Sequence, residues 1–402
     1  MQTALADFIR DTPLGREADA ILRTCVHCGF CNATCPTYQL LGDELDGPRG
    51  RIYLIKQALE GHAPTRKTLT HLDRCLTCRN CETTCPSGVR YGALVDIGRE
   101  LIERQVRRPW PERFLRGALR AVIPHPRRFA SLLRIGQLFR PLLPRGLKRS
   151  IPDRQRAAPW PGAAHTRRML VLEGCVQPAL APNINVAAAR VLDRLDITLV
   201  AADGAGCCGA AAHHTSGVEE GLAAARRNID AWWPHIEAGA EAIVMTASGC
   251  GVHVKGYGRH LKDDPAYAAK AARISALTRD LGEILANEDL SKLKAGVRPG
   301  LRVAFQSPCS LQHGQKLSGV VEKILRDLGV TLTPVPEAHL CCGSAGTYSI
   351  LQRALSQQLL ERKLGALQSG QPDVIATANV GCFAHLQTRA TVPVKHWIEL
   401  LD

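Results

Sequence analysis

At 402 residues, 45% apolar and 22% charged, the chain is long enough for two or three globular domains and too apolar to be disordered. Its first stretch, MQTALADFIRDTPLGREADA, lacks the apolar core and cleavage site of a signal peptide, and no run reaches the ~20 apolar residues of a membrane span. The 16 cysteines are therefore read as metal ligands of a cytoplasmic chain, not disulfides, and the net charge of +14 needs a local explanation because most of it lies in one segment.

A short helix is expected over residues 17–23. It leads into Cys25-Val-His-Cys28-Gly-Phe-Cys31-Asn-Ala-Thr-Cys35-Pro36. Pro48 then suits a helix N-terminus, and Ile52, Ile55 and Leu59 keep helical spacing up to Gly61. A second helical stretch, 69–73, leads into Cys75-Leu-Thr-Cys78-Arg-Asn-Cys81-Glu-Thr-Thr-Cys85-Pro86, and 89–105 reads as a closing helix. Both runs are C-x2-C-x2-C-x3-C-P, the ligand spacing of bacterial [4Fe–4S] sites. Three thiolates wrap one cluster, and the fourth, held off by proline, ligates the other. Cys25, Cys28, Cys31 and Cys85 are thus assigned to one cluster, and Cys75, Cys78, Cys81 and Cys35 to a second. Structural zinc fits less well, because zinc ribbons draw two thiolates from each of two knuckles. The 44 residues from Cys31 to Cys75 exceed a ferredoxin hairpin, so helices are expected between the binding loops.

Residues 107–164 read as a basic, proline-rich linker. From Arg104 to Arg156 there are fifteen Arg/Lys against two acids, Glu112 and Asp153. Prolines limit the helices here to three or four turns. Short amphipathic pieces carry Phe114, Leu115, Leu119 and Val122, then Phe129, Leu132, Leu133, Ile135, Leu138 and Phe139. Nucleic-acid binding is not expected, because stacking aromatics and any recognisable module are missing.

From Arg167 onward short strands and helices alternate. Strands at 169–172, 197–201 and 242–245 end near Cys175, Cys207-Cys208-Gly209 and Cys250. Strands at 301–305, 331–335 and 374–377 end near Cys309, Cys341-Cys342-Gly343 and Cys382. Both halves place the pair 32 positions after the first cysteine, and the last cysteine 43 against 41 positions after the start of the pair. Such a repeat marks two homologous α/β units with parallel sheets. Ligands bind outside the carboxyl ends of parallel strands, so Cys175, Cys207, Cys208 and Cys250, and then Cys309, Cys341, Cys342 and Cys382, are candidate ligands of a further centre. That centre is an iron–sulfur cluster, a zinc ion or a redox dithiol. The fold class is mixed: an α-helical two-cluster ferredoxin-like domain (1–106), the linker (107–164), and two CysCysGly α/β domains (165–297 and 298–402).

The helical separation of the runs resembles the α-helical ferredoxin domain of succinate dehydrogenase iron–sulfur subunits. The CysCysGly repeats resemble the cysteine-rich domain of heterodisulfide reductases, lactate-utilisation proteins and the C subunit of anaerobic glycerol-3-phosphate dehydrogenase. Joined, and with CVHCGFCNATCPTYQLLGDELDGPRGRIYLIKQ, HLDRCLTCRNCETTCPSGVRY, NIDAWWPHIEAGAEAI, ASGCGV, CCGSAGTY and HWIEL, they resemble the iron–sulfur subunits of bacterial glycolate oxidases, also called glycolate dehydrogenases. In many CysCysGly domains the last cysteine belongs to a C-x2-C pair. Here histidine stands second, at His253 and His385, so these are further candidate ligands.

The resemblance implies an electron-transfer subunit of a hetero-oligomeric complex. A separate FAD-binding subunit oxidises glycolate to glyoxylate, and electrons pass through this chain toward a quinone-type acceptor. Substrate chemistry and catalytic residues are not expected here, and no nucleotide motif is readable. A membrane-associated complex gives the basic linker a role, its arginines and apolar faces lying on an anionic inner-membrane surface or a partner subunit. The same role for lactate, another 2-hydroxy acid or glycerol 3-phosphate is the alternative within the class. Outside it stand a thiol–disulfide reductase and a cluster-bearing assembly or sensing protein. His213 and His214 are read as solvated loop histidines before rim residues, His27 as a residue that tunes or covers its cluster without binding it, and Trp232-Trp233 as packing of a helix against the core.

Overall fold

The structure, a computed structural model, describes residues 1–144, 148–149, 151–296, 298 and 300–402. Arg145 of the basic segment and Val297, the expected end of the first CysCysGly domain, lie outside the described residues. The chain forms two compact units: Met1–Gly117 with His339–Glu361, and Ala118–Ala338 with Arg362–Asp402.

The first unit is helical. Helices α1 (Pro13–Thr24), α2 (Phe30–Ala33), α3 (Pro36–Leu41), α4 (Pro48–Leu59), α5 (Arg66–Asp73), α6 (Asn80–Thr84) and α7 (Tyr91–Gln105) alternate with the cysteine loops. Prolines stand at the first positions of α1, α3 and α4, where no helical N–H is lost. Thr12 caps α1 by accepting from the Gly15 N–H at 3.0 Å. Leu22, Ile55, Leu59, Leu72, Leu94 and Ile102 are fully buried in one core shared by α1, α4, α5 and α7.

The basic segment is helical over α8 (Trp110–Val122) and α9 (Pro126–Phe139). It is not uniformly solvated. Arg108 and Arg116 are buried, and both pair with Asp73, at 2.6 and 3.0 Å. Arg108 also pairs with Glu103 at 2.8 Å. Helix α9, by contrast, has no buried residue, and Leu138 is 74% exposed.

The second unit holds two four-stranded parallel sheets. The first is formed by β1 (Arg167–Val171), β2 (Ile197–Ala201), β3 (Ile243–Met245) and β4 (Thr278–Asp280), in the order β2-β1-β3-β4. The second, from β5 (Arg302–Gln306), β6 (Thr331–Leu332), β7 (Val374–Thr377) and β8 (Val394–His396), repeats it as β6-β5-β7-β8. Register runs Arg167↔Ile197 and Leu170↔Ile243 in one, Arg302↔Thr331 and Val303↔Val374 in the other. Every residue of β3 and β7 is buried, as expected of strands covered on both faces. The edge strands β4 and β8, Thr-Arg-Asp and Val-Lys-His, carry no apolar run and are absent from the sequence reading.

Bonds join the loops after β3 and β7. The Ser248 N–H donates to the Ala378 carbonyl at 3.1 Å, and the Gly249 N–H to Asn379 Oδ1 at 3.2 Å. His396 of β8 is fully buried, its Nε2 2.9 Å from the Thr246 carbonyl while its Nδ1 accepts from the Ile398 N–H. Burial lowers its pKa to about 4, against an ordinary 6.5. The unfolded chain thus binds a proton between pH 6.5 and 4 that the folded chain refuses, and this contribution to stability falls as pH drops through that window. Asp280, raised by burial to about 6, acts in the opposite sense, so the test is a difference between two chains. Relative to pH 8, the chain at pH 5 should lose roughly 2 kcal/mol more unfolding free energy than His396→Gln. An equal change in urea-unfolding free energy between pH 8 and pH 5 for the two chains, followed by tryptophan fluorescence, would contradict it.

Candidate iron–sulfur sites

The two cysteine runs fold alike. Cys25 closes α1, and His27 and Gly29 adopt φ of +59° and +86°. Thr77 and Arg79 take the matching positions after Cys75, with φ of +54° and +60°. These left-handed residues curl each loop around its first thiol, and the His27 and Thr77 N–H groups each donate to the Sγ of Cys25 and Cys75 at 3.4 Å. The runs are tied by Thr34 and Thr84, whose hydroxyls lie 2.9 Å apart, and by Asn80 Nδ2 donating to the Thr34 carbonyl at 3.0 Å.

This pairing crosses the fourth cysteines. The Cys31 thiol is pushed up to about 11 by burial and by the neighbouring thiolates of Cys25, Cys85 and Cys28. Cys81 is raised well above the usual range by burial and then by Cys78, Cys75 and Cys35. One cavity is lined by Cys25, Cys28, Cys31 and Cys85, with Cys81 of the other group also on its wall. Two groups of four soft thiolates with backbone N–H···S bonds fit the donor chemistry of iron–sulfur clusters.

The group around Cys75 sits among positive charge. Burial opposes ionisation of Cys75, but Arg51 and Arg99 outweigh it and hold the thiol below its ordinary value. Tyr91 donates to Cys75 Sγ at 3.6 Å. Arg99 clamps the loop through the Leu72 and Cys75 carbonyls at 2.8 and 2.7 Å. Arg51 is 1% exposed and donates to the His71 carbonyl at 2.7 Å and to Thr37 at 3.1 Å. Its ion partner Asp46, also buried, lies 3.5 Å away and pairs with Arg74 at 2.7 Å and His71 at 3.0 Å. Asp43, Asp46 and His71 lie close enough to suggest a cation site, but the two guanidiniums make this an ion-pair network.

Segment 339–361 of the second repeat belongs to this first unit. Asn80 Nδ2 donates to the His339 carbonyl at 3.2 Å, and the Tyr348 hydroxyl to the Arg74 carbonyl at 3.1 Å. Tyr348 is raised by burial and then by the thiolates of Cys75 and Cys341. The loop carrying Cys341 and Cys342 therefore lies beside the second cysteine run.

In the second unit the first repeat brings its four thiols together at the carboxyl edge of its sheet. Cys207 is held far below the usual thiol value by hydrogen bonds from Cys175 and Cys208, helped by the Gly209 N–H and Arg227. Cys175 and Cys208 are raised, in each case first by their bond to Cys207; Cys250 adjoins both. Gly209 and Gly343 have φ of +96° and +87°, and a Cβ there would meet the Gly221 and Ser356 carbonyls at 2.7 and 2.6 Å. Asn228 and Tyr257, which the sequence reading missed, fasten the pair. Asn228 Nδ2 donates to the Cys207 carbonyl at 2.9 Å, and the Tyr257 hydroxyl to that of Cys208 at 2.7 Å. Both are polar groups inside helical apolar stripes, the one signal that could have found them.

Cys309 and Cys382 follow β5 and β7, and Asn379 Nδ2 donates to Cys382 Sγ at 3.5 Å. His253 and His385 are buried. His213 packs on His253 and His260 instead of standing in a solvated loop. Trp232 is buried, while Trp233 faces Lys270.

Removing the Arg51 charge should act on stability and on the group around Cys75 alike. Arg51→Gln leaves Asp46 short of a buried partner and should cost about 3–5 kcal/mol in unfolding free energy. In anaerobic EPR-monitored titration it should lower one reduction potential and leave the other in place; no shift, or equal shifts of both, would count against the placement of this charge.

Comparison with known families accords with this geometry. The family model described as a 4Fe-4S dicluster domain matches residues 21–89, and that described as a cysteine-rich domain matches 169–255 and 303–387. The glycolate oxidase iron–sulfur subunit of Escherichia coli (strain K12) is 58% identical over 403 positions, covering 100% of this chain and 98% of that protein. A probable glycolate oxidase iron–sulfur subunit of Bacillus subtilis (strain 168) is 30% identical, covering 92% of this chain and 90% of its own. Lactate utilization protein A of Bacillus licheniformis is 28% identical over 57% of this chain. A dicluster iron–sulfur domain joined to two cysteine-rich repeats, with this identity along its whole length, places the chain in the family of glycolate oxidase iron–sulfur subunits.

Proposed function

We propose that the chain is the electron-transfer subunit of a glycolate dehydrogenase complex, in which an FAD-binding partner oxidises glycolate to glyoxylate and a quinone-type molecule is the final acceptor. The observation that carries this reading is the crossed pairing of the cysteine runs beside the Cys341-Cys342 loop, in a chain 58% identical to a glycolate oxidase iron–sulfur subunit. When bound, each [4Fe–4S] cluster supplies one-electron transfer, which a two-electron flavin donor requires.

In this reading Cys25, Cys28, Cys31 and Cys85 hold one cluster, and Cys75, Cys78, Cys81 and Cys35 the other. Arg51 and Arg99 offset the negative charge of the second group. Tyr348 and Asn80 hold the Cys341 loop against it. Cys175, Cys207, Cys208 and Cys250 form a further centre of iron–sulfur or zinc type, and Cys309, Cys341, Cys342 and Cys382 are its counterparts in the second repeat. The domains run 1–106, 107–164, 165–297 and 298–402. The low-lying Cys207 thiol favours a second reading, a dithiol site of thiol–disulfide reductase type. Alkylation of Cys207 in the anaerobic protein would support it, whereas protection lost on chelation supports a metal centre.

Glycolate with the flavin subunit should bleach the cluster absorbance anaerobically; bleaching only with lactate or glycerol 3-phosphate would reassign the substrate, and none at all would overturn the role. Cys35→Ser should remove the cluster held by Cys75, Cys78 and Cys81, read as iron content and EPR. Loss of the other cluster alone would reverse the ligand assignment.

Among the described residues no helix is long and apolar enough to cross a membrane. Trp110 and Phe114 are 76% and 71% exposed, and Leu132, Ile135, Leu138 and Phe139 are exposed on α9 beside arginines. These faces support peripheral attachment to the anionic cytoplasmic surface of the inner membrane, each basic group contributing about 1 kcal/mol. Replacing Arg127, Arg128, Arg134 and Arg140 with glutamine should abolish co-sedimentation with anionic vesicles; undiminished binding would refute the assignment.

A further inference from the structure

The two cysteine runs share one backbone, so their faces can be compared position by position. In the second run Leu76 and Asn80 are 7% and 3% exposed, and Asn80 Nδ2 is bonded to the His339 carbonyl, at the entry to the Cys341-Cys342 loop. In the first run the matching residues are Val26 and Phe30, which are 67% and 62% exposed. Between them stands Cys28, the one exposed cysteine of the sixteen. His27 is exposed too, and the ring of Tyr53, itself exposed on α4, stands 6.4 Å from it. From Cys25 to Cys35 the chain holds no Asp, Glu, Lys or Arg, whereas the second run carries Arg79 and Glu82. The first run thus presents an uncharged, partly aromatic surface around an open thiol.

We propose that Val26, Cys28, Phe30 and Tyr53 form the docking surface for the electron-donating, FAD-binding partner, and that electrons enter the chain there. This rests on the electron-transfer role given above and adds to it the place and direction of entry. The duplication carries the argument. The face of the second run is bonded to the chain's own next thiol-bearing loop, and the same face of the first run is left bare. A relay covered on its outgoing side and open on its incoming side has one place for a donor. The composition of the bare face fits a protein partner: aromatic residues are enriched and charges depleted at the centre of protein interfaces, and apolar groups left clustered at a functional atom mark such a site. An anionic membrane surface fits it poorly, because that surface selects lysine and arginine. The nearest guanidinium, that of Arg49 beside Gly29, is already paired with Glu44 at 2.5 Å. In the docked complex two electrons leave the partner's reduced flavin one at a time, its protons going to solvent. Each passes through the group around Cys28 to the enclosed group around Cys75.

The test uses the full chain with its clusters, kept anaerobic, and the purified flavin subunit. Phe30→Ser and Tyr53→Ser should each weaken binding about tenfold in biolayer interferometry, with little dependence on added salt because no ion pair is lost. Bleaching of the clusters by glycolate and a limiting amount of flavin subunit should slow in proportion, while bleaching by dithionite and the EPR signals of both clusters stay as they were. Unchanged affinity in both variants overturns the docking surface and leaves the electron-transfer role standing. Failure of glycolate and the flavin subunit to bleach the unaltered chain overturns the role, and the docking surface with it. Hydrogen exchange of the unaltered chain decides the matter even where a variant loses a cluster: the amides of residues 26–30 should slow on addition of the flavin subunit. Slowing with anionic vesicles only, or with neither, overturns the proposal.

Discussion

The Asp46 carboxylate is buried out of reach of water and accepts from Arg51, Arg74 and His71. A buried carboxylate without partners is far too costly to persist, so these side chains have little freedom to be elsewhere. They come from three places: α4, the end of α5, and the residue just before Cys75. One ion network thus sets the connection between the two cysteine runs and the entry to the second. Thr37 bonds to both the Asp46 carbonyl and Arg51, which extends the same network to the stretch after Cys35. The helices between the runs are the frame that holds a positive charge against one group of thiols.

The two groups are alike in backbone and unlike in surroundings. Cys28 is exposed, with Val26 and Phe30 beside it in water. Cys75 and Cys81 are buried, near two guanidiniums and two tyrosine hydroxyls. Solvent exposure and hydrogen bonding to sulfur are among the factors that separate the potentials of otherwise equal clusters. A duplicated motif has in this way acquired two environments, one open and one enclosed.

What was legible in the sequence followed the range of the interaction. Ligand spacing is local, so both runs could be read directly, and the matched spacing in the second half revealed the repeat and its parallel sheets. The edge strands β4 and β8 were not legible, because three residues with a charged centre carry no period. Arg108 and Arg116 look like solvated arginines in the sequence, because their shared partner Asp73 lies 35 and 43 positions away and meets them only in the fold. The docking of 339–361 rests on donors that seek backbone carbonyls, those of Arg74 and His339, and any residue supplies a carbonyl.

The placement of His339–Glu361 in the first unit bears on the order of synthesis. The ribosome delivers Met1–Gly117 long before this piece, and a compact unit whose parts lie more than two hundred residues apart closes late, because the intervening loop entropy must first be overcome. The helical half leaves the tunnel with its thiols in place but one wall missing. Maturation of the buried cysteine group is thereby tied to completion of the chain, and a prematurely ended translation product carries an open, unfinished site instead of a working ferredoxin.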